Sequence, residues 1–336
     1  MIGCLAYSNP YHGLDFIHFF IVLFQRLFMF LTGRGGGLSL AADEIQVLVL
    51  IGVSISSGIV GTFLVLRKMT MLANALSHTI LLGIVGVFLF TQFNHHAEGH
   101  HEFHLLGMLI AAVVTGILTT FLTEFLTQTV HLQEDASTGL VFTTLFSIAI
   151  ILVSMFTRNA HIGIEVVMGN VDALHVEDLK LVYAILLLNV CVFTAFFKEF
   201  KLTSFDSQLA KSLGVSTVFF NYFIMTQASL TSIGAFRAVG VLMVLAFIVG
   251  PTLTARLLTN DLKALILLSG GLGSLASFCG VAFSRHYLSV YGIPLATSGV
   301  TVCMIALFFG LAIVCSPKSG LFIRWLRRRK LKQKVT

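Results

Sequence analysis

Charge is what this sequence lacks most. Only 11% of its 336 residues are Asp, Glu, Lys or Arg, where a soluble domain carries about 25%. That is too little to coat a water-exposed surface, so lipid must replace water around most of the chain. The five cysteines, Cys4, Cys191, Cys279, Cys303 and Cys315, show no metal-type spacing. Four of them fall in or beside apolar runs, which points to buried thiols rather than disulfides. The first dozen residues hold no Lys or Arg, and no small-residue cleavage site follows a short apolar core, so a signal-peptide layout is missing. No phosphate loop occurs either: the Gly35-Gly36-Gly37 run is followed by no lysine. With no nucleophile elbow and no paired carboxylates inside a span, the chain reads as no enzyme. It cannot hydrolyse ATP, and any active transport must draw on a partner or an ion gradient.

What the sequence has is apolar runs of membrane length. A hydrocarbon core ~30 Å thick needs about 20 helical residues. Such runs lie near 46–66, 71–92, 105–127, 138–156, 180–198, 217–236, 239–257, 262–284 and 293–315. An earlier run at 16–33 carries Arg26 near its middle, costly in lipid unless it faces protein or snorkels. That run is either a tenth span or an interfacial helix. The expectation is an all-α polytopic transmembrane bundle of about 9–10 spans with both termini inside.

The basic residues fit this orientation. Arg67, Lys68, Lys198, Lys201, Lys211, Arg256 and Lys263 fall inside, with eight more between Lys318 and Lys334. Arg34, Arg158, Lys180, Arg237 and Arg285 fall outside. The tail around Trp325 and Arg327-Arg328-Arg329 reads as an anchor on anionic lipid headgroups, not as a nucleic-acid binder.

Eight of the 12 histidines then land on the outer face. His95, His96, His100, His101 and His104 share one loop with Glu98 and Glu102. Imidazole with carboxylate suits zinc, iron(II), manganese or nickel, but a floppy polar loop that binds metal weakly has the same composition. The sharper signal is inside the membrane. Asn74, Ser77 and His78 sit at i, i+3 and i+4 and so share a helix face. Ten residues beyond Lys68, at ~1.5 Å each, His78 lies about 15 Å deep. An ionisable residue there marks a pathway by default, the alternative being a packing histidine. Glu124, near the inner end of its span, reads as snorkelling. Pro251 within its span is a candidate kink.

Four stretches resemble a known family, the permease subunits of bacterial manganese, zinc and iron ABC importers. They are Leu64-Val65-Leu66-Arg67-Lys68-Met69 with Ala75-Leu76-Ser77-His78; Glu134-Asp135-Ala136-Ser137-Thr138-Gly139; Phe205-Asp206 with Ala210 and Gly214; and Arg237-Ala238-Val239-Gly240 with Gly250-Pro251 and Ala255-Arg256. The resemblance runs from about Asp43 to Pro317. It implies a type II importer fold in the bacterial inner membrane: an N-terminal extension at 1–42, a permease domain at 43–317 and a basic cytoplasmic tail at 318–336. It implies no permanently bound cofactor, a transported divalent metal, and ATP used by a separate cytoplasmic ATPase subunit. A metal-binding protein outside and a second permease copy or paralogue complete the implied assembly.

By this resemblance, Phe205, Asp206, Ala210 and Gly214, with Glu134 and Asp135, belong to the ATPase-coupling side. The small residues Ala210 and Gly214 would present a flat face to the partner. Asn74 and His78 fall on the family's metal path, where Asn74 replaces an aspartate and Leu82 a usual proline. The rival reading, a secondary metal-cation transporter or efflux carrier, calls for several acidic residues inside the spans, and these spans hold almost none.

Overall fold

The computed structural model describes residues 10–11, 13, 16–32, 40–94, 105–156 and 171–316. Among these residues all repeating structure is helical. The first five helices are α1 (Phe16–Leu31), α2 (Ala42–Leu66), α3 (Thr70–Asn94), α4 (Leu105–Thr129) and α5 (Glu134–Phe156). A 3-10 turn at Val171–Ala173 leads into α6 (Val176–Ala195) and two short helices, α7 (Phe197–Phe205) and α8 (Ser207–Ser212). Then come α9 (Thr217–Val239), α10 (Val241–Leu258), α11 (Leu262–Tyr291) and α12 (Thr297–Cys315). Among the described residues, α2, α5, α6, α11 and α12 are long and apolar enough to cross a membrane. At 25, 25 and 23 residues, α3, α4 and α9 have the same reach, about 35 Å.

The centre of the bundle is α2, enclosed by α6, α9, α10 and α11. Small residues make the enclosure possible. Gly58 faces the backbone of Gly270 on α11, where an added Cβ would come within 2.9 Å of the amide nitrogen. Gly61 meets the carbonyl oxygen of Ile248 on α10 so closely that a Cβ would overlap it. In a bundle without a water-driven hydrophobic force between helices, such close backbone approach supplies the packing. Hydroxyls reinforce it: Ser54 donates to the Gly270 carbonyl at 3.3 Å, and Ser269 to the Gly58 carbonyl at 3.1 Å. The Asn189 amide on α6 donates to Ser56 on α2 and Thr231 on α9, at 2.5 and 2.7 Å.

At the outer end, Asp172 accepts from Gln46 at 2.8 Å and Thr297 at 2.6 Å, and Asp43 pairs with Arg285 at 3.3 Å. These bonds tie the start of α2 to the α11–α12 hairpin. Between α9 and α10 stands a single residue, Gly240, at φ +79°. The chain reverses there. Asn221 near the start of α9 and Arg256 near the end of α10 both reach the inner end of α2, at Arg67 and Val65.

Among the described residues, nine long helices coincide with the nine apolar runs, and the described bundle is the expected polytopic helical one. The 16–33 run differs. Phe16 lies against His286 and Phe24 against Phe278, at 6.5 and 6.3 Å between rings, so α1 runs antiparallel to α11 along its outer half. A tenth alternating span would run parallel to α11. At 16 residues, about 24 Å, α1 also falls short of a crossing.

The expected thiol burial fails as well: Cys191, Cys303 and Cys315 are exposed on the bundle surface, free, with Cys279 intermediate. Their spans are apolar on every side, so hydropathy alone gave no sign of which side faces lipid. Pro251 is buried inside a helix that continues without interruption from Val241 to Leu258.

Candidate functional site

The α3 helix turns sharply out of α2. Lys68 takes the left-handed conformation at φ +61°, and the Met69 amide bonds back to Leu64 at 2.9 Å. Helix α3 starts at Thr70, which places Asn74 one turn in and His78 two, about 12 Å along the axis. Both side chains are half-buried, but their surroundings differ. The His78 ring sits among aromatics of α5, 5.2 Å from Phe142 and 5.4 Å from Phe146. Asn74 instead faces a groove of 490 Å³ between α3, α10 and α12, walled by Met71, Leu245, Val249 and Ile305. Apart from Asn74 and Thr70, the residues lining this groove are apolar. Among the described residues no group of three or more His, Cys, Asp or Glu is placed to hold a metal ion. The loop with His95, His96, His100, His101 and His104 lies outside the described residues, as does the side chain of Ser77.

The inner face carries the second predicted element. Phe200, fully buried on α7, stacks among Phe193 of α6, Phe63 of α2 and Phe223 of α9, at 4.7, 5.5 and 5.8 Å. This cluster seats α7 against the bundle. Asp206 then caps α8, its carboxylate accepting from the Gln208 and Leu209 amides at 3.0 and 2.9 Å. That use of a side-chain acceptor at a helix start is the ordinary N-cap.

The flat small-residue face expected at Ala210 and Gly214 is absent. Ala210 is completely buried, and Gly214, at φ +79°, ends the helix. What α7–α8 presents outward is an apolar ridge of Phe205, Leu209 and Leu213, 61%, 46% and 64% exposed. A sequence scan weighted toward glycine and alanine passes over such a ridge, whereas one for exposed leucines between polar neighbours finds it. Asp135 is exposed at the start of α5, on the same inner side as α8, and Glu134 opens that helix.

Between this segment and the end of α2 lies a polar cavity of 470 Å³, lined by Arg67, Lys211, Glu124, Gln128, Thr203 and Asn221 among others. Glu124 does not snorkel. It lines this cavity, accepting from Gln128 at 2.8 Å while its Oε2 is buried. Snorkelling assumes lipid on every side of the span, but α4 packs here against α9. Arg67 donates to Ser204 at 3.1 Å and to Thr203 and Asn221. Burial holds its guanidinium below the ordinary arginine value, at about 10, so it stays charged at neutral pH.

Comparison with known proteins extends the geometry. The chain is 42% identical over 317 residues to the “Probable metal transport system membrane protein” of Chlamydia trachomatis, covering 94% of this chain and 97% of that one. It is 36% identical to the manganese transport system membrane protein MntD of Bacillus subtilis, covering 82% and 92% of the two chains. It is 32% identical to the zinc transport system membrane protein TroD of Treponema pallidum, covering 85% and 77%. Among solved structures, PsaBC from Streptococcus pneumoniae in complex with Fab matches with a TM-score of 0.70 at 26% identity, over 85% of this chain and 94% of that one. The ABC 3 transport family matches residues 44–316, from the first turn of the central helix to the end of α12, and the chain belongs to that family.

Proposed function

We propose that this permease carries a divalent transition metal, manganese, zinc or iron, across the bacterial inner membrane into the cytoplasm. A separate ATPase subunit supplies the energy, and an extracytoplasmic metal-binding protein delivers the ion. The observation that carries the reading is His78 on α3: a metal-ligating side chain two turns inside a membrane helix, one turn from Asn74 and its groove. An imidazole and an amide oxygen suit these ions. Without Asp or Glu beside them they bind weakly enough for the ion to leave again, as conduction requires. Two ligands do not fill a coordination shell. The groove beside Asn74 is therefore read as the seat of a second copy or a paralogue, whose α3 supplies the remainder.

On the inner side, the Phe205–Leu209–Leu213 ridge is the surface that enters the ATPase groove, with Asp135 and Glu134 as the acidic rim. Asp206 and Gly214 shape the ridge, and Ala210 roots it. The loop holding His95 to His104 gathers metal at the outer mouth. An ion-gradient carrier is disfavoured. Among the described residues the acids buried as whole residues, Asp43, Glu44 and Asp178, stand in the first turns of α2 and α6, and Glu124 lies near the inner end of α4, not at mid-membrane where such a carrier needs them. Uptake of radioactive manganese, zinc and iron(II) into vesicles holding the chain with its ATPase and delivery protein tests the proposal. ATP-dependent uptake of at least one metal is expected. Uptake of none, or uptake that ignores ATP, overturns it.

A further inference from the structure

Arg67 on the inner face is a cation bonded to neutral groups. Its guanidinium is part-buried at the junction of three elements, the end of α2, the docking helix α7 and the start of α9. Its partners are all neutral: the hydroxyls of Ser204 and Thr203 and the amide oxygen of Asn221. Among the described residues, no carboxylate stands within ion-pairing distance of it. A desolvated cation held only by hydroxyl and amide groups is under-compensated, since a charge taken out of water needs an opposite charge to recover the loss.

The opposite charge stands across the same cavity. Glu124 lines the far wall, with Gln128 donating to one carboxylate oxygen and the Tyr222 hydroxyl beside the carboxylate, and no cation is paired with it among the described residues. A guanidinium and a carboxylate, each with neutral partners only and both lining one space of 470 Å³, describe a pair that closes when the space collapses. The cavity walls belong to separate elements. One wall is α7–α8, the segment that carries the docking ridge. Another is the α2–α3 turn, where Lys68 at φ +61° joins the buried α2 to the helix bearing Asn74 and His78.

We propose that Arg67 is a two-position latch that couples the docking segment to α3. In the state seen here it is bonded to Thr203, Ser204 and Asn221, and in the other state it is paired with Glu124. When the ATPase pushes on the Phe205–Leu209–Leu213 ridge, α7 shifts and Arg67 leaves its neutral acceptors for the carboxylate. The α2–α3 turn moves with it, and α3 re-aims His78. Arg67 is a positioning residue: it meets neither metal nor nucleotide. The inference rests on the importer reading above.

Two substitutions test it, both in vesicles holding the whole complex, with manganese uptake and phosphate release measured in the same samples. Asn221→Asp gives Arg67 a permanent charged partner and holds the latch on α9. Glu124→Gln removes the second position. In both, phosphate release stays within about twofold of the unsubstituted complex while manganese carried per ATP falls at least tenfold. Asn221→Asp also raises the melting temperature, which separates a trapped latch from a damaged fold. If both variants keep the unsubstituted ratio, or if uptake and hydrolysis fall in step, the latch is overturned and the importer reading stands. If the unsubstituted complex carries no manganese, zinc or iron(II), the importer reading falls and takes the latch with it.

Discussion

The carboxylate of Glu44, in the first turn of α2, is bonded to the guanidinium of Arg26 on α1. The same carboxylate accepts from the Tyr11 hydroxyl at 2.8 Å and, through its other oxygen, from the Ala41 amide at 2.9 Å. One acid, 3% exposed, thus secures the residues on both sides of α1 and the start of the central helix. Burial, and then the Glu44 carboxylate beside it, push the Tyr11 phenol above its ordinary value. Tyr11 therefore remains a donor throughout the physiological range. The basic residue that seemed out of place in an apolar run is spent on this acid.

Breaking that pair leaves a buried charge uncompensated. Arg26→Ala is expected to cost about 3 kcal/mol, read as a lowered melting temperature in detergent. Arg26→Met with Glu44→Gln removes both charges and recovers most of the loss. Equal melting temperatures for Arg26→Ala and the unsubstituted chain would show that the pair contributes nothing.

Gly61→Ala drives a methyl group into the Ile248 carbonyl, a backbone atom that cannot step aside. Helices α2 and α10 must separate, and the expected cost exceeds ~2 kcal/mol, in the range of overpacked cores. Gly271→Ala and Gly299→Ala are the controls, because nothing lies within 4 Å of an added Cβ at either. Thermal unfolding of the three purified variants, side by side, checks the ranking.

His78→Ala should abolish metal uptake and leave the yield of folded protein unchanged, since the ring is only half-buried and flanked by Phe142 and Phe146. Asn74→Asp adds a negative charge to the same helix face. A gain of roughly 1.4 kcal/mol would lower the half-saturating metal concentration about tenfold, at the expense of slower release. Uptake curves for both variants decide this. Normal rates in His78→Ala would remove the imidazole from the path.

On the docking ridge, Leu213→Asp should abolish co-purification of the ATPase subunit while the melting temperature holds, because Leu213 is 64% exposed. Asp206→Ala should behave differently. It removes a helix cap, costing ~1 kcal/mol, and weakens ATPase binding by loosening α8, not by removing a contact. Pull-down with the ATPase, paired with thermal unfolding, separates the two effects.

The helices were legible because their length is fixed by the membrane. An apolar run near 20 residues has one common explanation, and Ala42–Leu66 or Thr297–Cys315 needs no other information. The direction of α1 was not legible, since hydropathy says nothing about whether Phe16 lies beside His286 or at the far end of α11. The i, i+4 relation of Asn74 and His78 follows from helix periodicity, whereas the division of their surroundings depends on where α5, α10 and α12 lie. Arg67 shows the limit most clearly. Its partners are 136 to 154 residues further along the chain, and nothing local distinguishes it from Lys68, which the same positive-inside logic treats alike.

Helix α2 emerges from the ribosome early, yet part of its wall is α11, about 200 residues later in the sequence. Until those residues are made, Ser54 and Thr62 lack their α11 partners, Gly270 and Ser269. Biogenesis of this permease therefore passes through an insertion intermediate whose middle segment is too polar for its surroundings and is rescued only by late-arriving neighbours. Chains cut short before Leu262 keep that defect permanently and become substrates for membrane quality control.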